Sequence, residues 1–215
     1  LDFLKAGATD ARARHAQGED MIDIEAIAHV ADIARHNARV RPDKTAMWFE
    51  GRTTSYGTLD TRASQIANGL ARTGVKPGDR VAYLGKNSDV FYEIALGSAK
   101  ARTALAGINY RLAAPETAFI LNDAAAPILF VEKEFFPLVE AILADCPKLK
   151  TIIALTGAHD GWIDYATWRD SQSATDPDLG ILPDDDVVQL YTSGTTGLPK
   201  GVQLTHANYR AFFDM

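Results

Sequence analysis

A ten-residue segment near the end of the chain concentrates groups that could hold a polyphosphate. From Thr192 to Gly201 it reads Thr-Ser-Gly-Thr-Thr-Gly-Leu-Pro-Lys-Gly, which gives four hydroxyls, three glycines and one lysine. Glycines let backbone N–H groups approach an anion without a Cβ in the way, and hydroxyls add further donors. Lys200 adds a mobile positive charge. This combination favours phosphate binding over the alternative of a hairpin turn that is merely small and polar.

Other phosphate and catalytic motifs do not fit this segment. A Walker A loop needs a Ser or Thr directly after its lysine and a helix that starts at once, whereas Lys200 is followed by Gly201 and an apolar stretch. The chain lacks a Gly-x-Gly-x-x-Gly fingerprint at this place, so a dinucleotide site is unsupported. It also lacks a Gly-x-Ser-x-Gly elbow, which disfavours a serine hydrolase.

The elements around the loop predict an α/β fold. Short strands at Val187–Tyr191 and Val202–Leu204 would make the loop the tip of a β-hairpin. Upstream, apolar strands alternate with helices, which is typical of a mostly parallel sheet flanked by helices on both faces. The predicted strands are Arg80–Leu84, Thr103–Ile108, Ile128–Val131 and Thr151–Leu155. The predicted helices run from Asp23 to Pro42, over 59–70, 88–100, from 114, over 134–145 and over 165–170, with a hairpin at 45–56.

Composition excludes several classes of protein. With 22 Lys and Arg against 28 Asp and Glu, the net charge of −6 argues against a general nucleic-acid binder, which needs a basic face. The single Cys146 excludes an intrachain disulfide and a Cys-x-x-Cys site, and it favours a reducing, cytoplasmic location. No stretch approaches the ~18 apolar residues of a membrane span, and the charged N-terminus does not fit a signal peptide.

Residues Tyr191 to Val202 resemble the signature of the adenylate-forming, or AMP-binding, enzymes. This superfamily contains acyl-CoA synthetases, adenylation domains of peptide synthetases, and luciferases. Four upstream stretches resemble the N-terminal half of the family in the same order: 54–59, 74–82, 107–112 and 115–123. The resemblance covers about residues 24–215 and is nearest to fatty- and aryl-acyl-CoA synthetases.

The resemblance implies a division of the chain. Residues 1–22 would be an N-terminal extension, and 23–215 a truncated N-terminal portion of an AMP-binding domain. Within that portion, 23–185 would form an α/β subdomain and 186–215 the phosphate-loop hairpin with the start of the next subdomain. The chain begins at Leu1 and stops at Met215 inside a predicted helix, so we expect it to be cut at both ends and to be inactive alone.

The resemblance also implies a reaction and its participants. Family members use ATP and Mg²⁺ to activate a carboxylic acid as an acyl-adenylate, and then transfer the acyl group to a thiol, usually that of coenzyme A. The residues that match the phosphate-binding positions are Thr192, Ser193, Gly194, Thr195, Thr196, Gly197 and Lys200, with Thr192 also near Mg²⁺. No catalytic residue is expected here, because the catalytic lysine of the family lies in a C-terminal domain.

Three points remain open at this stage. The chain could be a non-catalytic nucleotide- or phosphate-binding module, or an adenylation domain of a peptide synthetase. The third open point is its oligomeric state, for which a homo-dimer joined through exposed apolar surface is one option. His206 could face the nucleotide or acyl site, or serve a local role at a helix start. His29 and His36 are expected at the surface, and Asp184–Asp186 in a solvated turn. Three tryptophans are expected to pack in the core or between subdomains: Trp48, Trp162 and Trp168.

Overall fold

A seven-stranded sheet with helices on both faces organises the chain. The computed structural model describes residues 23–192 and 198–213. The strands are β1 (Thr45–Phe49), β2 (Arg52–Ser55), β3 (Arg80–Leu84), β4 (Ala104–Ile108), β5 (Ile128–Val131), β6 (Thr151–Ala154), β7 (Ile163–Asp164), β8 (Asp186–Thr192) and β9 (Lys200–Thr205). The helices are α1 (Asp32–Val40), α2 (Tyr56–Arg72), α3 (Asp89–Lys100), α4 (Ala114–Asp123), α5 (Phe136–Ile142), α6 (Tyr165–Asp170) and α7 (His206–Phe213), with 3₁₀ turns at Lys133–Phe135 and Leu143–Asp145.

The order of strands in the large sheet is β7-β6-β5-β3-β4-β8-β9. Every neighbouring pair is parallel except the last, β8 with β9, while β1 and β2 form a separate antiparallel pair. The chain passes from β3 to β4 on one side and then crosses back to β5 on the other. In open α/β sheets, ligands bind beyond the carboxyl ends of the strands at such a reversal. The topology therefore predicts a ligand site at the carboxyl edge between β3 and β4.

Alternating residues of the strands build a core on each face of the sheet. On one face, Ala82 and Leu84 of β3 pack with α4 and α5, and the buried Cys146 belongs to this cluster. On the other face, Val81 and Tyr83 pack with α2, α3 and α6. The prediction of a mostly parallel sheet covered on both faces is confirmed. None of the helices in the described ranges has the length and apolarity that crossing a membrane requires.

Ion pairs fasten the segment that leads from α6 into β8. The fully buried ammonium of Lys100 lies 2.6 Å from Asp60 Oδ1, 2.7 Å from Asp176 Oδ2 and 2.8 Å from Ser64 Oγ. We call these four residues the Lys100 cluster. Arg35 also contacts Asp176, at 2.7 Å. The path of the chain before β8 is therefore fixed by electrostatic contacts with α1, α2 and α3.

Asp184 is exposed in a turn before β8, as the sequence predicts, whereas Asp185 and Asp186 are held in ion pairs. Asp185 pairs with Arg102 at 2.8 Å, and Asp186 pairs with Arg80 at 2.7 Å. Both carboxylates are half-buried, and both bind arginines from the strand-and-turn region around β3 and β4. These two ion pairs place the first residue of β8 against the sheet.

Three further expectations about single residues or ends are wrong. The first helix begins at Asp32, because its carboxylate accepts a hydrogen bond from the His29 N–H at 2.9 Å and so ends a series of turns that begins near Asp23. His36 is buried on α1 instead of lying at the surface. Trp48 is 70% exposed on β1, whereas Trp168 is buried under α2 and Trp162 packs against the core.

Candidate functional site

The hairpin of β8 and β9 carries the predicted phosphate loop. Tyr191 pairs with Gly201, and Thr192 pairs with Lys200 as the last pair before the loop. The structure thus brings two of the predicted site residues, Thr192 and Lys200, together at the mouth of the hairpin, where both are exposed. The other five lie outside the described residues: Ser193, Gly194, Thr195, Thr196 and Gly197. Their role stays a prediction.

A crevice of about 530 Å³ opens beside the mouth of the hairpin. Because β8 runs parallel to β4, Thr192 lies at the same carboxyl edge as the residues that follow β3 and β4. The residues that line the crevice include Gly85, Asn87, Asn109, Tyr110, Thr192 and Pro199. The crevice therefore occupies the point where the strand order reverses, and the hairpin of β8 and β9 forms one of its walls.

The wall after β3 is held in place by a compact set of polar contacts. The Tyr83 hydroxyl donates to the Lys86 carbonyl at 2.8 Å, and the Lys86 N–H donates to Glu132 at 3.1 Å. Burial raises the pKa of Tyr83, so the hydroxyl stays protonated. A Cβ at Gly85 would lie 2.9 Å from the Glu132 carboxyl carbon, so glycine lets this carboxylate fold over the loop. These contacts pre-form one side of the crevice.

A chain of hydrogen bonds reaches the hairpin mouth from beneath the sheet. Arg80 Nε donates to Gln189 Oε1, Gln189 Nε2 donates to the Tyr191 hydroxyl, and that hydroxyl donates to Asp123 Oδ2, each at 2.7 Å. We call these four residues the Arg80–Asp123 hydrogen-bond network. Neither Gln189 nor Asp123 is predicted from the sequence as part of the site. The alternation of β8 places Gln189 and Tyr191 on one face, but nothing local connects them to α4.

The described part of the chain offers no ready-made metal cage. Within residues 23–192 and 198–213, no group of three or more His, Cys, Asp or Glu side chains lies in an arrangement that could hold a metal ion. Mg²⁺ prefers oxygen ligands and keeps several waters, and it is commonly shared between substrate phosphates and one or two protein oxygens. The exposed Thr192 hydroxyl at the hairpin mouth is suited to supply one such protein oxygen.

His206 begins α7, and its contacts fit the local role of the two that the sequence leaves open. Its Nδ1 accepts a hydrogen bond from the Val30 N–H at 3.0 Å, and its ring meets that of His29 edge-on at 5.4 Å. Burial, followed by the nearby His29, lowers the pKa of His206 to about 4. The neutral ring joins the start of α7 to the turn before α1.

Comparison with known proteins identifies the family. The model of the family described as "AMP-binding enzyme" matches residues 34–215. A fatty acid–[acyl-carrier-protein] ligase, ScoC, from Streptomyces coeruleorubidus is 46% identical over 179 residues, which are 83% of this chain and 33% of that protein. A feruloyl-CoA synthase from an Amycolatopsis species is 37% identical over 171 residues, 80% of this chain and 32% of that protein.

A solved structure has the same fold. The anthranilate CoA ligase AuaEII, in complex with anthranoyl-AMP, superposes with a TM-score of 0.81 and 32% identity, covering 84% of this chain and 35% of that one. The chain spans about a third of the length of the curated relatives it matches. With a matching family model over most of its length and the same sheet, this chain belongs to the AMP-binding enzyme family.

Proposed function

We propose that this chain is the N-terminal part of an ATP-dependent acid–thiol ligase, an acyl-CoA synthetase that forms AMP. In this reaction a carboxylate oxygen attacks the α-phosphorus of ATP and pyrophosphate leaves, which gives an acyl-adenylate. The thiolate of coenzyme A then attacks the acyl carbonyl and AMP leaves. The observation that carries the proposal is the pairing of Thr192 with Lys200 at the carboxyl edge of the sheet, beside the crevice, in a chain of this family.

The loop would hold the β- and γ-phosphates as pyrophosphate departs. Lys200 supplies charge at the mouth of the hairpin, and the backbone and hydroxyls of the loop supply further donors. Chemistry of this kind depends mostly on positioning and on stabilising charge. The proposed binding residues are those predicted from the sequence: Thr192, Ser193, Gly194, Thr195, Thr196, Gly197 and Lys200.

Mg²⁺ would be held together with the nucleotide. The Thr192 hydroxyl is the proposed protein ligand, and the remaining positions would be taken by phosphate oxygens and water. When bound, the ion neutralises charge on the phosphates. Thr192 would hold that ion at the end of β8.

The proposed acid substrate and acceptor are based on the names of similar proteins. We propose a fatty or aryl carboxylic acid, as in the fatty acid ligase and the feruloyl-CoA synthase. Coenzyme A is the proposed acceptor. The 46% identity to a ligase named for acyl-carrier protein makes that carrier the second candidate. We also propose a cytoplasmic protein that forms homo-dimers, with the subdomain boundary at 185/186.

Pyrophosphate release and thioester formation by the intact protein test these proposals. Thr196→Ala and Lys200→Ala should each lower ATP-dependent adenylation by about 10²–10³-fold, because each removes a donor to the departing phosphates. Lys148→Ala, which changes an exposed lysine distant in sequence, is the matched control. Unchanged adenylation in both loop variants would overturn the assignment.

Two further arms refine the result. Supplying coenzyme A or acyl-carrier protein in separate reactions identifies the acceptor. The 215-residue chain by itself should release little pyrophosphate, because it spans only a third of its relatives. Robust turnover by this chain alone would contradict the proposal that it is one part of the enzyme.

A further inference from the structure

The Arg80–Asp123 hydrogen-bond network ends next to the predicted phosphate loop. Tyr191 directly precedes Thr192, and its cross-strand partner Gly201 directly follows Lys200. The Tyr191 hydroxyl is therefore attached to the last residue pair before the hairpin mouth. Asp123, the final residue of α4, accepts the hydrogen bond from that hydroxyl at 2.7 Å. A helix on one face of the sheet thus contacts the base of the loop.

All donors in this chain of hydrogen bonds point the same way. The guanidinium of Arg80 donates to the oxygen of Gln189, the amide nitrogen of Gln189 donates to Tyr191, and Tyr191 donates to Asp123. A cation stands at one end and a carboxylate at the other, so each hydrogen bond polarises the next in the same direction. Gln189 is buried, and Arg80 is fixed in addition by Asp186 at 2.7 Å. The arrangement has one defined orientation.

Tyr191 is a hydrogen-bond donor, and its ring packs closely beneath Gly201. Burial and then the hydrogen bond to Asp123 raise the pKa of Tyr191, which keeps its hydroxyl protonated as a donor. A Cβ at Gly201 would lie 2.6 Å from Gln189 Nε2 and 3.2 Å from Tyr191 Cζ. Glycine at 201 therefore makes space for the two side chains beneath the last strand. An alanine there would displace the amide that donates to Tyr191.

We propose that Asp123 is a positioning residue for phosphate binding, acting through the Tyr191 hydroxyl on the pair formed by Thr192 and Lys200. Holding Tyr191 from α4 fixes the direction in which both ends of the loop leave the sheet. The contact therefore strengthens the binding of ATP, because it positions Lys200 and Thr192, the groups proposed to hold the phosphates. This inference rests on the proposed phosphate-binding role of the loop.

Steady-state kinetics of the intact protein test the inference. Tyr191→Phe removes the donor hydroxyl, Asp123→Ala removes its acceptor, and Gly201→Ala displaces Gln189. The first two should each raise the KM for ATP roughly five- to tenfold, the cost of losing one hydrogen bond to a charged group. Gly201→Ala should raise it by a smaller factor, because the hydrogen bond from Gln189 to Tyr191 joins neutral groups. All three should leave the KM for the carboxylic acid unchanged. Asp123→Asn keeps an acceptor oxygen and should stay within about twofold of the wild type.

A double variant tests whether the residues act as one unit. Tyr191→Phe combined with Asp123→Ala should raise the KM for ATP no more than Tyr191→Phe alone, because that change already removes the hydrogen bond to Asp123. The control is Asp145→Ala, since Asp145 is an exposed carboxylate in the 3₁₀ turn after α5 and contacts α4 through its backbone carbonyl, which accepts from Asn122. It should leave both KM values unchanged.

The possible outcomes separate this inference from the proposed function. If Lys200→Ala raises the KM for ATP but the Tyr191 and Asp123 variants do not, the positioning role is wrong and the phosphate loop stands. If the variants raise both KM values together, or lower only the urea midpoint of unfolding, the contact is structural and the inference is overturned. If Lys200→Ala also has no effect, the phosphate role fails and the inference fails with it.

Discussion

The buried imidazole of His206 makes the free energy of unfolding of the chain fall in acid. Burial keeps the ring neutral, with a pKa of about 4, whereas an unfolded histidine has its ordinary value near 6.5. Between these two values the unfolded chain binds more protons than the folded chain. The free energy of unfolding is therefore full above pH ~6.5 and falls as the pH decreases toward ~4.

The variant His206→Asn isolates this effect. Its side-chain oxygen can still accept the hydrogen bond from the Val30 N–H, but it does not titrate. Between pH 6.5 and 4.5 the wild-type chain should lose about 2–3 kcal/mol more than the variant in urea unfolding. Equal losses in the two proteins would show that His206 takes up a proton in the folded state as readily as in the unfolded one.

Single residues mark the limit of what the sequence can reveal. The glycines and hydroxyls of the loop are adjacent in sequence, so their combination is visible there. Asp123 and Tyr191 are 68 residues apart, and their contact depends on how α4 packs beneath the sheet. The burial of His36 and the exposure of Trp48 depend in the same way on which neighbours the fold supplies.

At the scale of elements, the Lys100 cluster fixes the segment between α6 and β8. Lys100→Met removes a buried ammonium and leaves the carboxylates of Asp60 and Asp176 close together. Breaking a buried ion pair costs about 3–5 kcal/mol. Because these carboxylates are 24% and 29% exposed, we expect a smaller loss of roughly 2–3 kcal/mol in the free energy of unfolding.

A matched change on the surface controls for the loss of one lysine. Lys86 pairs with Glu134 at 2.8 Å, but their side chains are 56% and 46% exposed. Lys86→Met should therefore cost much less stability than Lys100→Met, because solvent screens the surface pair. Urea unfolding of both variants gives the comparison. Similar losses would mean that burial adds nothing to the Lys100 contacts.

Elements with strong local signals are predictable, and their arrangement is less so. The strands Arg80–Leu84 and Ile128–Val131 and the helix Tyr165–Asp170 have the bounds that the sequence predicts. Apolar strands alternating with helices also suffice for a parallel sheet. The strand order follows from crossovers between distant segments, and the two-residue strand β7 is too short to leave a pattern. The late start of α1 depends on the carboxylate of Asp32.

At the scale of the whole molecule, one face of the hairpin is apolar and open. Leu190 and Val202 pair across β8 and β9 and are 45% and 44% exposed, next to an apolar crevice of about 890 Å³ that also reaches Trp48 and Tyr92. Exposed apolar patches of this kind promote association. We expect the 215-residue chain to self-associate through this face as its concentration rises.

Sedimentation velocity over a series of concentrations measures this tendency. The double variant Leu190→Lys and Val202→Lys should remain monomeric at concentrations where the wild type associates, because it places two charges on the patch. Leu182→Lys, at a leucine that is 53% exposed elsewhere, is the control and should behave as the wild type. Association that is indifferent to the double variant would locate the contact on another surface.

The reactivity of the buried Cys146 can report how the core of the protein opens. It is the chain's only cysteine, it lies within the core on one face of the sheet, and burial raises the pKa of its thiol. Only the thiolate reacts with alkylating reagents, so the native chain should resist modification. Labelling by a maleimide then requires the core to open, and at a reagent concentration high enough to outpace reclosing its rate equals the opening rate. A mass spectrometer could follow that rate in a mixture, without denaturant and without any engineered probe.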